Sequence, residues 1–83
     1  MESLHEPVDV ILICSTTRRA VRILKIRWRG REYPVRELCM HTQKEIKGVL
    51  CHLYAVIAGN LWMELTCNPQ TFFWTLERVE DKT

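Results

Sequence analysis

The sequence predicts an all-β fold of six short antiparallel strands in meander order. They form a strongly bent sheet or a small, partly closed barrel, with at most one helical turn near residues 42–47. Three observations lead there. β-Branched and aromatic residues cluster in short runs. Turn formers stand between the runs: Gly30, the Gly59-Asn60 pair and the Asn68-Pro69 pair. Pairing the runs on either side of each turn sorts apolar and polar residues onto opposite faces, which is the period of a half-buried sheet.

The elements follow in order. Residues 8–14 form the first strand, and residues 15–19 a polar connection. Residues 20–38 form a hairpin turning at Arg29-Gly30. If Trp28 faces Arg31, then Ile26 faces Tyr33 and Leu24 faces Val35, an apolar face. On the other face Arg27 meets Glu32 and Arg22 meets Glu37, opposite charges across strands. A slip of one residue would set Ile26 against Glu32 and destroy the sorting. Pro34 lacks a ladder donor and marks an edge or a bulge. Residues 39–47 are less regular. Thr42 and Glu45 have capping-box spacing, so one helical turn or a plain loop is expected there.

Residues 49–57 form an apolar strand, residues 61–67 its return after Gly59-Asn60, and residues 72–79 the last strand. This register puts His52, Tyr54, Val56, Met63, Leu65, Cys67, Phe72, Trp74 and Leu76 on one core face. Leu53, Ala55, Ile57, Trp62, Glu64, Thr66, Phe73, Thr75 and Glu77 share the other, half-covered face.

Eighty-three residues make a single domain, 1–83. A chain this short buries only about 60–65% of the surface its unfolded form exposes, so its core is thin. A composition 47% hydrophobic and 27% charged is that of a globular protein rather than a disordered one. The N-terminal residues show no basic region followed by an apolar run, and no apolar stretch is long enough to span a bilayer. A cytoplasmic protein with no membrane partner is expected. Cys14, Cys39, Cys51 and Cys67 are then free thiols, and Cys14, Cys51 and Cys67 read as small apolar core residues.

Charge is distributed unevenly. Residues 18–37 carry eight basic and two acidic side chains, a net +6, and the rest carries four basic against eight acidic, a net −4. A basic element of this kind points to an anionic partner. After Arg22 and Arg27 are assigned to glutamates, Arg18, Arg19, Lys25, Arg29, Arg31 and Arg36 remain to contact phosphates. Trp28 at the hairpin tip would stack on an unpaired base. Nucleic-acid binding by a small non-enzymatic accessory module is the expected function. The competing expectation is a protein-interaction or homodimerisation surface of Leu53, Ile57, Trp62 and Phe73 on the half-covered face.

Other chemistries find less support. Cys39, His41, Cys51, His52 and Cys67 offer metal-ligand types, but no pair has the spacing of a structural zinc site. Cys51 and His52 are adjacent in a strand and point to opposite faces. His52 lies opposite Cys67, so a His52/Cys67/Cys39 grouping is the one arrangement left open; no metal or other cofactor is expected. A Cys67–His52 nucleophilic pair would sit on an apolar face, where burial disfavours both the thiolate and the imidazolium. No phosphate-binding glycine loop is present, and Glu64 with Glu77 reads as solvated surface. Neither an enzyme nor a small-molecule substrate is expected.

The stretch Trp28-Arg29-Gly30-Arg31-Glu32-Tyr33-Pro34-Val35-Arg36-Glu37-Leu38, the Glu64-Leu65 dipeptide and the closing Trp74-Thr75-Leu76-Glu77-Arg78-Val79-Glu80-Asp81 together resemble a small bacterial domain family of unknown function. Its members read W-R-G-R-x-Y-x-V-R-E-L early and W-Y-L-E-R-V-x-D at the close. The resemblance covers the chain from about Ile26 onward; Thr75 replaces the family's aromatic residue, and residues 39–48 depart from the pattern. Domains of that family occur alone and at the ends of proteins related to translesion DNA polymerases. The resemblance therefore implies no known reaction, and a leaning toward DNA.

Overall fold

Six strands run as an antiparallel meander: β1 (Glu2–Ser15), β2 (Ala20–Trp28), β3 (Arg31–Ile46), β4 (Val49–Ala58), β5 (Leu61–Asn68) and β6 (Phe73–Asp81). β1 also pairs with β6, so the sheet closes into a barrel in sequence order. This is a computed structural model; it describes residues 2–81, with side chains from Leu4 onward. Among the described residues there is no helix, and so none able to cross a membrane.

Three of the connections are two-residue turns whose backbone matches their sequence. Arg29 and Gly30 have φ of 52° and 76°, and Lys47 and Gly48 have 50° and 82°. Positive φ at both central positions is the pattern of the type I′ hairpin turn, where glycine in the second position removes the steric cost. Gly59, at 61° and followed by Asn60 in the ordinary region, fits the II′ pattern.

Inward residues alternate along the strands. Val56, Met63, Leu65, Leu76 and Ile26 are the largest fully buried side chains. Tyr54, Ala58, Cys67 and Ile23 complete the core, with Leu4, Val8, Val10, Trp28, Tyr33, Val35, Leu61, Trp74 and Val79 packed around it. The register expected for β4 and β5 holds, with His52 facing Cys67 and Tyr54 facing Leu65. Across β5 and β6 Cys67 faces Trp74 and Leu65 faces Leu76, and a bulge between Glu64 and Leu65 sets Met63 opposite Val79. The second face is better covered than expected at Ala55, which is buried.

Three expectations are corrected. Residues 42–47 form no helical turn. They continue β3 to Ile46 and pair with β4, Thr42 with Leu53 and Ile46 with Val49, because Lys47-Gly48 supplies a hairpin turn. In β2, Ile23 and Ile26 are both buried although three residues apart, which period two forbids. A bulge explains it: Ile11 faces Lys25 but Leu12 faces Ile23, leaving Leu24 unpaired and half-buried. The inner face is thus Ile23–Ile26, not Leu24–Ile26. Finally, Phe72 does not join the core; it lies in the β5–β6 turn, 76% exposed.

The β2–β3 ladder confirms Trp28↔Arg31, Ile26↔Tyr33 and Arg27↔Glu32, then stops at Lys25↔Pro34. Pro34 has no N–H to extend it, and its carbonyl instead accepts the Gly59 N–H at 3.0 Å. The expected Leu24/Val35 and Arg22/Glu37 pairs therefore lie beyond the ladder. β3 turns toward β4 through two register shifts, between Val35 and Glu37 and between Leu38 and Met40, and such bulges bend a strand. On the other side, the β1–β6 ladder ends at Val8↔Trp74. Beyond these two limits the β1–β2 hairpin pairs only with itself, from Leu12↔Ile23 to Ser15↔Ala20.

Candidate functional site

The parting of that hairpin leaves a cavity of about 480 Å³ at one end of the barrel. Leu12, Cys14, Arg19, Ala20 and Val21 form its hairpin wall. β3 and β4 contribute Leu38, His41, His52 and Tyr54, and the β5–β6 side contributes Cys67, Pro69, Phe72 and Trp74. One inward position further along the strands, Val56, Leu65 and Leu76 are at 0–1% exposure, so the cavity ends on the packed core.

Aromatic rings run across this end. His41 stacks on Tyr54 with centroids 4.4 Å apart and planes 3° apart, and Tyr54 meets Trp74 at 5.4 Å. His41 and His52 stack at 5.1 Å, and His41 Nε2 lies 2.9 Å from His52 Nδ1, so one ring donates a hydrogen bond and the other accepts it. The alternation of β4 points His52 and Tyr54 inward together; the bulge between Leu38 and Met40 brings His41 opposite Tyr54. Burial pushes the Tyr54 hydroxyl above its ordinary pKa, and burial with nearby Cys51 pushes the Cys67 thiol up. Both groups are thereby held neutral, and Cys67 is disfavoured as a thiolate.

The basic residues divide between the two ends of β2. This nine-residue strand, at about 3.3 Å per residue, holds its terminal turns roughly 25–30 Å apart. At the Arg29-Gly30 end the cations other than Arg31 are engaged. Arg29 donates from Nε and Nη2 to the two Glu6 oxygens at 3.1 and 2.6 Å, and Trp28 Nε1 donates to the same carboxylate at 3.1 Å. The Arg29 guanidinium also lies 4.7 Å over the Trp28 ring. Arg27 and Lys25 both bind Glu32, at 2.9 and 3.1 Å, and Arg36 donates to the Gly59 carbonyl at 3.1 Å. Trp28 is half-buried and oriented by Glu6, not displayed at a tip.

At the other end Arg18 and Arg19 occupy the β1–β2 turn, and Arg22 follows on β2. Among the described residues, no ion pair engages Arg18, Arg19, Arg22 or Arg31. The glutamate expected for Arg22 does not reach it, because the ladder stops short of both. Arg19 lines the aromatic cavity.

The residues expected to form an interface are not one patch. Ile57 and Trp62 are cross-strand neighbours, and Leu53 lies further along, opposite Thr66. Trp62 pairs with Glu80, whereas Phe73 pairs with Asn68 at the far end of the same ladder. Phe73 is 74% exposed, while Leu53, Ile57 and Trp62 are half-buried. Glu64 and Glu77 each have their own partner, Arg78 at 3.4 Å and His5 Nδ1 at 2.7 Å. All four cysteines are free thiols; Cys51 and Cys67 are buried, whereas Cys14 is exposed and so falls outside the core expected for it. Among the described residues no three His, Cys, Asp or Glu side chains group to hold a metal ion. Of the grouping left open, only His52 and Cys67 are neighbours.

The His41–His52–Tyr54 row is a feature that sequence reasoning missed. The lost cue was Lys47-Gly48, a hairpin dipeptide that would have paired residues 41–46 with β4 and set His41 beside Tyr54.

Comparison with known protein families, with curated proteins and with solved structures returns no match.

Proposed function

We propose that the protein is a non-enzymatic module that binds single-stranded nucleic acid at the open end of its barrel. One observation supports this above the others: Arg19, with Arg18 next to it in the turn, borders a cavity lined by Phe72, Trp74 and Tyr54. Cations that meet phosphate, set beside rings that stack on unpaired bases, are what sequence-tolerant single-strand recognition requires. The resemblance to domains found with polymerase-related proteins leans the same way. Relative to the expectation from sequence, the site moves along β2, away from Trp28 and Arg29 and toward residues 18–22.

The test is a titration of labelled oligonucleotides at several salt concentrations. Single strands should bind at about 50 mM salt and weaken as salt rises, as counterion release demands. Reversing Arg18 and Arg19 to glutamate should abolish binding, while reversing Arg31 should leave most of it. Absence of binding at low salt overturns the proposal.

A second reading, self-association, rests on a different observation. After Lys25↔Pro34 the β2-facing edge of β3 carries no partner strand, and Leu38, Met40 and Ile46 along β3 are exposed. Such an edge can pair with a second copy. Sedimentation across a concentration series decides it, and a monomer throughout rules it out.

A further inference from the structure

We infer that the barrel-end cavity receives the phosphorylated terminus of a single strand, with the terminal phosphate monoester held between Arg19 and the His41–His52 pair. This rests on the single-strand reading above and specifies which part of the strand enters.

The cavity has a floor. Val56, Leu65 and Leu76 close it below Tyr54, Cys67 and Trp74. A strand cannot thread through such a floor, so it reaches the bottom of the cavity with an end. An internal segment would lie across the mouth instead, and a hydroxyl-ended probe distinguishes the two. The volume, about 480 Å³, lies within the roughly 300–1,000 Å³ range of small-ligand sites. Phe72 and Trp74 on one side offer faces for a base.

The polar lining selects the charge. The titratable or charged groups facing the histidine pair are Arg19 from the hairpin turn, Cys14 from β1, Tyr54 from β4 and Cys67 from β5; no carboxylate lines the cavity. Tyr54 and Cys67 stay neutral. An anion therefore meets one permanent cation and two imidazoles, with no opposing negative charge. The 2.9 Å contact between the rings uses one proton. The ring nitrogens outside that contact remain to meet a ligand in the cavity. A phosphate diester carries one charge at neutral pH, but a monoester carries up to two. Arg19, in a lining without a carboxylate, thus holds a terminal monoester more strongly than an internal diester.

The experiment compares four probes at about 50 mM salt and neutral pH. They are oligothymidylates with a 5′-phosphate, a 3′-phosphate or hydroxyl ends, and free thymidine monophosphate. Expected is at least about tenfold tighter binding of one phosphorylated oligonucleotide than of the hydroxyl form. The two oligonucleotide arms say which end enters, and the mononucleotide arm whether the end alone suffices. His52→Gln should remove most of the phosphate preference. Arg19→Asn, in an exposed turn whose φ of 51° asparagine tolerates, should weaken phosphorylated probes selectively without disturbing the fold. Equal binding of phosphorylated and hydroxyl ends overturns the inference while leaving general single-strand binding standing. Failure of every oligonucleotide to bind overturns both.

Discussion

Glu6 joins parts of the chain that its neighbours in sequence do not announce. Its carboxylate takes three hydrogen bonds from Trp28 and Arg29, tying β1 to the β2–β3 turn. Those donors, Arg29 first, hold the Glu6 carboxyl below the usual carboxylate range, and Arg27 and Lys25 do the same for Glu32. A depressed folded-state value contributes stability above the ordinary carboxylate pKa, and that contribution disappears as pH falls through the lowered value. Stability of the wild type should therefore fall on acidification below about pH 4.5. Glu6→Gln should flatten part of that fall, read by thermal denaturation at stepped pH. Because both pairs are exposed, added salt should shrink the difference. The local pairing of Arg27 with Glu32 was legible in the sequence because it follows from hairpin register. Glu6 was not, since its partners lie more than twenty positions away and only the long β1–β2 pairing brings them near.

At the level of the element, turn chemistry explains both what was readable and what was missed. Gly59 defines a hairpin whose register holds along its length, and Gly30 one whose register holds from Trp28↔Arg31 as far as Lys25↔Pro34. Lys47-Gly48 has the same backbone, but the capping-box spacing of Thr42 and Glu45 competed with it, and β-pairing with residues 49–53 prevailed. Lys47 now holds a positive φ that asparagine accepts more readily. Lys47→Asn should leave stability unchanged or raise it by a few tenths of a kcal/mol, whereas Gly48→Ala should lower it by about 1 kcal/mol through backbone strain alone. Denaturant titration separates the two. The Leu24 bulge carries its own test. Ile23→Ala should cost about 2–4 kcal/mol and Leu24→Ala clearly less. Strict alternation from Ile26 would give the reverse order. No local residue marks that bulge: there is no glycine, and the cause is the demand of a closing sheet for a sharper bend.

Seen whole, the molecule has two unlike ends. One is filled by Ile26, Met63 and Val56, and the other holds the cavity beneath a hairpin paired only with itself. Meander order followed from the sequence because each strand is joined to the next by a short turn. Full closure did not, because it depends on β1 meeting β6 across the length of the chain. Native-state hydrogen exchange should separate the two ends. Amides of β4 and β5 between Tyr54 and Leu65 should exchange slowest, and those of residues 12–22 far faster. Uniform protection would mean that the hairpin is held by more than its own ladder.

That seam also has a kinetic meaning. Val8 and Trp74 are partners more than sixty positions apart, whereas every other ladder joins neighbours in sequence. Local hairpins can form before the distant ends meet, and contacts of long sequence separation form at the greatest cost in chain entropy. We expect the seam to be the last part of the barrel to zip and the first to part. Val8→Ala should then speed unfolding and leave the refolding rate nearly unchanged, a φ-value near zero in stopped-flow chevrons. A slowed refolding limb would instead place the seam in the folding nucleus.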